Sequence, residues 1–139
     1  MRDLVSQTRL APYFAALERG DFELAVSRFA MDAVYVRPSY EPSANGMGMV
    51  SMRGRDAILE FFRQRGVRSD HHEVLVYAAD ATTCIIEGIA RDTAFGTVMF
   101  MSSAQFDDDD LIARYVSLAA PAPPQTVEVV ESSASSPLH

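Results

Sequence analysis

The chain has 139 residues, of which 48% are apolar and 22% charged, enough for one domain with a hydrophobic core. Nineteen acidic against twelve basic residues give a net charge of −7, which argues against general binding to nucleic acid or to anionic membranes. The single cysteine, Cys84, excludes an intrachain disulfide. No signal pattern opens the chain and no apolar run approaches the about 18 residues of a membrane span, so we expect a cytoplasmic protein.

Helical periodicity dominates the first 30 residues. An apolar stripe at a spacing of three to four residues predicts a first helix, whose inner face is formed by Leu10, Phe14 and Leu17. Gly20 is expected to end this helix, and Asp21 to cap a second one. A third helix is predicted at about residues 56–65.

The β-type segments follow a different pattern. Residues 33–37 predict a short strand, which is followed by a loop rich in Pro, Ser, Gly and Met with a brief strand at 49–52. Four longer strands are predicted at residues 72–77, 82–91, 95–106 and 111–118. Their short connections allow only antiparallel hairpins, so the layout is α+β. Consecutive apolar residues suggest that both sheet faces are covered, one by the helices and one by a second copy in a homodimer.

The composition changes after Ala119. We therefore expect one domain at residues 1–119 and a Pro- and Ser-rich tail at 120–139 that is largely disordered. A short added strand around Val127 to Val130 is possible within this tail.

Four short motifs follow in an order and spacing that resemble the nuclear transport factor 2-like superfamily, and within it the SnoaL-like and ketosteroid isomerase-like proteins. They are YFxxLxxGD at 13–21, FAxDAV at 29–34, RGRDAI at 53–58 and the hairpin at 106–112. The resemblance covers residues 10–118. It implies a cystatin-like cone, in which a curved antiparallel or mixed sheet wraps around about three helices and encloses an apolar pocket. The superfamily includes isomerases, dehydratases, cyclases, epoxide hydrolases and proteins without catalysis.

The resemblance also places candidate site residues. Tyr13 matches the oxyanion tyrosine of the ketosteroid isomerases, whose site combines a general-base aspartate with an oxyanion hole of one tyrosine and one protonated aspartate. The position of the general-base aspartate is Arg37, and that of the second aspartate is Ser102, which we expect to contribute a hydrogen bond to the ligand. Because two of the three functional groups are absent, ketosteroid isomerase chemistry is not expected.

Arg37 in an apolar pocket needs a carboxylate partner or an anionic ligand. Glu87 is the candidate partner, since the alignment turns its face of the strand inward together with Ile85 and Ile89. The two side chains either form a structural pair or act on a ligand, with Arg37 holding an oxygen and Glu87 moving a proton.

Other candidates have weaker signals. His72 could be a general base or a solvent-facing strand residue, and only one of His71 and His72 can face the pocket. Tyr40 and Phe100 are further candidate ligand contacts. We expect no metal site and no cofactor, because the histidine spacing does not suit a metal ion.

Three functions stay open at this point. The first is a SnoaL-like enzyme that performs cofactor-free isomerisation, dehydration, cyclisation or hydrolysis on a small apolar molecule with a polar or anionic end, a carbonyl or a carboxylate. The second is a non-catalytic protein that binds a similar ligand. The third is a dimeric association module whose pocket is filled by its own side chains.

Overall fold

The structure is a computed structural model that describes residues 3–38, 48–68, 70–93 and 96–121. A 3-10 turn at Val5–Gln7 precedes three helices, which are α1 (Ala11–Glu18), α2 (Phe22–Val26) and α3 (Arg55–Arg65). The six strands are β1 (Phe29–Pro38), β2 (Met49–Arg53), β3 (His71–Ala79), β4 (Thr83–Thr93), β5 (Gly96–Phe106) and β6 (Ile112–Pro121).

All six strands form one curved mixed sheet in the order β2-β1-β6-β5-β4-β3. Strands β1 and β6 pair in parallel, and every other pair is antiparallel. The helices pack against one face of this sheet, so the predicted α+β cone is confirmed. The antiparallel hairpins β3–β4, β4–β5 and β5–β6 follow the predicted order.

The helix ends lie where local chemistry predicts them. The backbone N–H of Leu24 donates to the Asp21 carboxylate at 3.1 Å, which caps α2 as expected. Gly20 has a φ of 74°, a left-handed conformation that favours glycine just beyond a helix end. No helix in the described part of the chain is long and apolar enough to cross a membrane.

Strand β1 begins at Phe29, four residues before the predicted start. Its first part is irregular, because the register with β6 shifts between Phe29 and Val34. Strand β6 continues to Pro121, so the sheet extends past the predicted boundary at Ala119. The rest of the predicted tail and most of the loop after β1 lie outside the described residues.

The inner face of β4 consists of alternate buried residues. Cys84, Ile86 and Ala90 are buried against the helices, together with Gly88. A Cβ at Gly88 would lie 2.4 Å from the Glu73 carbonyl oxygen and 2.5 Å from the Phe100 ring. Glycine at this position therefore lets the Phe100 ring cross the inner face of the sheet.

The outer face of the sheet carries exposed apolar side chains. We call this group the outer stripe, and its members are Val76, Ile85, Met99, Met101 and Leu118, which are 45–55% exposed. Glu87 lies in the same face, directly opposite Val76 on one side and Met101 on the other. The prediction that Ile85, Glu87 and Ile89 turn inward is therefore wrong.

Candidate functional site

A cavity of about 370 Å³ lies between the helices and the inner face of the sheet. Its wall is mainly aromatic and aliphatic, with Phe14 from α1, Phe61 from α3 and Phe100 from β5. Pockets for small molecules commonly have volumes of about 300–1,000 Å³ and a few polar groups in an apolar wall. This cavity has that form, and its polar groups fall into three sets.

The first set comprises three phenols. Tyr13, Tyr35 and Tyr115 are buried, and the Tyr115 ring centroid lies 5.5 Å from that of Tyr13 and 5.1 Å from that of Tyr35. Burial, followed by the neighbouring phenols, raises the pKa of Tyr13 well above its usual value. Burial and the Tyr35 phenol likewise raise the pKa of Tyr115. Both hydroxyls therefore stay protonated at neutral pH and can donate hydrogen bonds.

Ser102 is hydrogen-bonded to this phenol set. The Tyr115 hydroxyl donates to Ser102 Oγ at 3.1 Å, and Ser102 Oγ donates to Ser117 Oγ at 3.3 Å. Tyr115 and Ser117 line the cavity, whereas Ser102 is 3% exposed and lies one layer deeper. Ser102 therefore positions two residues of the wall.

The second set is a histidine–carboxylate pair at the start of β3. The His72 side chain lines the cavity and is 12% exposed. Its ring stacks on Phe14 with centroids 4.8 Å apart and meets the Phe100 ring edge-on at 5.7 Å. Glu18 Oε1 accepts the His72 backbone N–H at 2.6 Å and lies 3.1 Å from His72 Nδ1.

The charge of Glu18 fixes the tautomer of this histidine. Burial alone would raise the pKa of Glu18, but hydrogen bonds from the His72 ring and backbone and the nearby histidine charges outweigh it. The pKa of Glu18 is therefore below its ordinary value, and at neutral pH the carboxylate can only accept hydrogen bonds. It follows that His72 Nδ1 carries a proton and that Nε2 holds the free lone pair of the neutral ring.

The third set is cationic. Arg37, Arg65 and Arg68 all line the cavity, and Asp70 is the single carboxylate among its described lining residues. The Arg37 guanidinium lies 4.4 Å from the Phe61 ring centroid, and that of Arg65 lies 5.4 Å from the Phe62 centroid. Burial, together with the charge of Arg68, lowers the pKa of Arg65.

Comparison with known proteins identifies the family of this chain. The model of the SnoaL-like domain matches residues 10–115, which is most of the chain. The chain belongs to the SnoaL-like domain family. The resemblance to the nuclear transport factor 2-like superfamily is thereby confirmed. No curated protein is significantly similar to the chain in sequence.

Several solved structures share the fold of this SnoaL-like domain. A SnoaL-like protein of unknown function from Burkholderia thailandensis has a TM-score of 0.65 at 16% identity, over 85% of this chain and 95% of that one. An NTF-2 like protein of unknown function from Burkholderia xenovorans has a TM-score of 0.64 at 16% identity, over 91% and 95%. The epoxide hydrolase/cyclase-like enzyme SalBIII, of pyran ring formation in polyether salinomycin, has a TM-score of 0.63 at 19% identity, over 83% and 92%.

The cavity of this SnoaL-like domain contains four of the residues predicted from sequence, which are Tyr13, Arg37, His72 and Phe100. Of the two histidines, His72 faces the cavity, while the His71 side chain is 57% exposed. Tyr40 lies outside the described residues. Among those residues, no group of three or more His, Cys, Asp or Glu side chains could hold a metal ion.

Glu87 does not lie at this site. It is on the outer face of the sheet, and strands β5 and β6 separate its strand from the one that carries Arg37. The predicted pairing of Arg37 with Glu87 is therefore wrong. The error arises because Cys84, Ile85 and Ile86 are all apolar, so the sequence of β4 gives no alternation that would identify the inner face.

Three residues of the cavity region, Glu18, Arg65 and Tyr115, were not predicted from the sequence. Glu18 follows Phe14 by four residues on α1, so a helical reading would have placed the two side chains on one face. Arg65 ends α3 and reads as an ordinary basic residue of a last helical turn. Tyr115 alternates with Ser117 and Ala119 on the inner face of β6, a pattern of small residues around one aromatic ring that leaves space for a cavity.

Proposed function

We propose that this SnoaL-like domain binds a small, mostly apolar molecule that bears a carbonyl or carboxylate group and moves a proton on it without a cofactor. The observation that carries this proposal is the Glu18–His72 pair, whose ring forms part of the wall of a cavity of about 370 Å³. The reaction would be an isomerisation, a dehydration, a cyclisation or a hydrolysis.

His72 is the proton acceptor in this proposal. Its Nδ1–H is held by the ionised Glu18, which leaves Nε2 to take a proton from the ligand and stabilises the imidazolium that results. The same nitrogen then returns the proton to another atom of the ligand. A positioned general base commonly contributes about 10²- to 10⁴-fold in rate.

Tyr13 and Arg37 are the groups that would stabilise the ligand oxygen. Proton removal beside a carbonyl places negative charge on that oxygen, and a neutral phenol can donate to it without itself losing a proton. A guanidinium adds a fixed positive charge at the cavity wall. Phe14 and Phe100 pack on the His72 ring, orient it and exclude water from its surroundings.

The fold comparisons are consistent with this chemistry. SalBIII, an epoxide hydrolase/cyclase-like enzyme, has the same fold at 19% identity. Epoxide opening and ring closure both need a proton to be taken from one oxygen and given to another. This likeness supports the general type of chemistry, and the residues of this chain carry the specific assignment.

Hydrogen–deuterium exchange tests the proposal without knowledge of the natural substrate. The protein is incubated in D₂O with a panel of aryl ketones and aryl keto acids that have acidic protons beside the carbonyl, and deuterium incorporation is followed by NMR. We expect exchange above the buffer rate in the wild type and its loss in His72→Gln. Arg63→Gln is the control, because Arg63 is exposed on α3 and does not line the cavity.

Two other functions predict different results in this assay. A non-catalytic binding protein would show saturable binding of panel members with no exchange above the buffer rate. An association module is favoured by the outer stripe, whose exposed apolar side chains suit a second copy of the chain in a homodimer. If that were its only role, no panel member would bind the cavity, while the dimer would persist.

A further inference from the structure

The charge of the cavity wall is opposite to that of the whole chain. The chain has a net charge of −7, yet its cavity is lined by Arg37, Arg65 and Arg68 against the single carboxylate of Asp70 in the described wall. Arg65 ends α3, and Arg68 and Asp70 lie in the segment that joins α3 to β3. The excess positive charge is therefore concentrated where α3 closes over the cavity.

Among the described arginines, Arg65 differs from several others because its guanidinium has only the Phe62 ring and the charge of the nearby Asp70 carboxylate, and no direct ion pair. Arg63, two residues earlier on the same helix, pairs with Glu23 at 3.1 Å. Arg91 pairs with Glu73 at 3.0 Å, and Arg55 donates to the Phe29 carbonyl oxygen at 2.7 Å. In the described part of the chain, Arg65 Nε and Asp70 Oδ1 are both buried without a hydrogen-bond partner, so these two atoms do not pair with each other.

This arrangement is unfavourable in the empty protein. A partly buried guanidinium loses part of its hydration, and an aromatic ring and a carboxylate that does not pair with it directly replace that hydration only in part. The Arg68 charge nearby makes the same region more positive still. Such a side chain is retained at a binding site when the ligand supplies the missing negative charge.

We propose that Arg65, assisted by Arg37 and Arg68, binds the carboxylate of the ligand, so that this cavity takes an organic acid with an apolar body in preference to a neutral carbonyl compound. The inference rests on the proposed function for the existence of a ligand and narrows its chemical class. A planar guanidinium matches a carboxylate with two parallel hydrogen bonds. The fixed Asp70 carboxylate in the same wall disfavours a doubly charged phosphate, and the aromatic wall suits a hydrocarbon or aryl body.

Paired ligands that differ only in charge test this inference. The probes are aryl carboxylic acids and their amides, such as 1-naphthoic acid with 1-naphthamide and 4-phenylbutanoic acid with 4-phenylbutanamide. Binding to the full chain is measured by calorimetry. We expect at least one acid to bind about tenfold or more tightly than its amide, the size of effect given by one charge-assisted hydrogen bond. Arg65→Gln should remove the preference, and Arg63→Gln, the exposed control on the same helix, should keep it.

The stability of the ligand-free protein is an independent readout. Because Arg65 Nε is buried without a hydrogen-bond partner in the described chain, Arg65→Met should leave the thermal midpoint unchanged or raise it, whereas a structural arginine would lower it when replaced. Equal binding of acid and amide in the wild type, or an acid preference that survives in Arg65→Gln, would overturn the inference. So would a lower midpoint in Arg65→Met, or naphthyl phosphate binding more tightly than naphthoate.

These outcomes distinguish carboxylate binding by Arg65 from proton transfer by His72. An acid preference that depends on Arg65, without His72-dependent exchange, would support carboxylate binding by Arg65 and reject the proposed proton transfer. Exchange that depends on His72, with equal binding of acids and amides, would support the proposed proton transfer and reject carboxylate binding by Arg65.

Discussion

Glu18 and His72 are joined through a single carboxylate oxygen, which lies 2.6 Å from the backbone nitrogen of His72 and 3.1 Å from its Nδ1. One side chain of α1 thus fixes both the start of β3 and the orientation of the imidazole. Phe14, one helical turn earlier on α1, stacks on a face of the imidazole ring. The two contacts leave the ring little freedom, which is what a general base in a small cavity requires.

Replacement of Glu18 by Gln should weaken catalysis more than binding. The neutral amide no longer stabilises an imidazolium and can present either its oxygen or its nitrogen to Nδ1, so both tautomers of His72 become populated. We expect the exchange rate to fall about 10- to 100-fold while the binding affinity of the probe changes little. An equal loss of affinity and rate would instead indicate that Glu18 only holds the fold together.

Glu18 should also contribute to acid stability. Its pKa in the folded protein lies below the ordinary value of 4.5, so its contribution is present above that pH and is lost as the pH falls through the folded pKa. Thermal midpoints of wild type and Glu18→Gln should therefore differ at pH 6 and converge toward pH 3. A difference that stays constant over this range would show that the ionised carboxylate is not what stabilises the protein.

The phenols predict a loss of stability at high pH. Burial raises the pKa of Tyr13 and Tyr115, whereas the same side chains ionise near pH 10 in the unfolded chain. Their contribution is complete below about pH 10 and is lost as the pH rises from there toward the folded values. In an alkaline titration followed by tyrosinate absorbance and circular dichroism, we expect part of the absorbance change to appear only together with unfolding. Titration of all tyrosines in the folded protein would contradict this expectation.

A methyl group at Gly88 should destabilise the protein. The added Cβ would lie 2.4 Å from a backbone oxygen and 2.5 Å from the Phe100 ring, and the oxygen can move only with its strand. We expect Gly88→Ala to lower the free energy of unfolding by about 1–3 kcal/mol in urea denaturation. Gly48→Ala is the matched control, since a Cβ there meets no atom within 4 Å. Equal stabilities of the two variants would contradict the proposed packing of Phe100.

A charge in the outer stripe tests the proposed homodimer. Met101 is 55% exposed and lies opposite both Glu87 and Leu118, so Met101→Glu would place two carboxylates side by side in an apolar surface. We expect the wild type to be dimeric by light scattering and Met101→Glu to be monomeric. Gln105→Glu, further along the same strand, should stay dimeric. A monomeric wild type would reject the dimer.

The fold was predictable from this sequence because its signals are local and agree with one another. Helical spacing around Phe14, the cap at Asp21 and the short connections between the last four strands each limit the architecture, and together they allow few topologies. The long extension of β1 to Phe29 was not predictable, because it depends on parallel pairing with Ile112 at the far end of the chain.

The candidate site was only partly predictable. Tyr13 and Arg37 follow from the family resemblance, and they line the cavity together with His72 and Phe100, which were also predicted. The roles of Glu18 and Arg65 depend on their tertiary contacts, which are the hydrogen bonds of Glu18 to His72 and the missing partner of Arg65 Nε. Contacts between a helix and a distant strand cannot be recognised from the sequence. Glu87 was misplaced because three successive apolar residues conceal which face of β4 is buried.

Determining the tautomer of His72 tests most directly whether a carboxylate-oriented imidazole acts as a base at this cavity. In ¹⁵N-labelled protein the ring nitrogens of the three histidines can be distinguished by NMR, with His72→Gln providing the assignment. We expect neutral His72 to be protonated at Nδ1 and bare at Nε2 in the wild type, and Glu18→Gln to give a mixture of tautomers. A wild-type ring protonated at Nε2 would have its lone pair at Nδ1, beside Glu18, and none at Nε2 to accept a proton from a ligand, which would contradict the proposed role of His72.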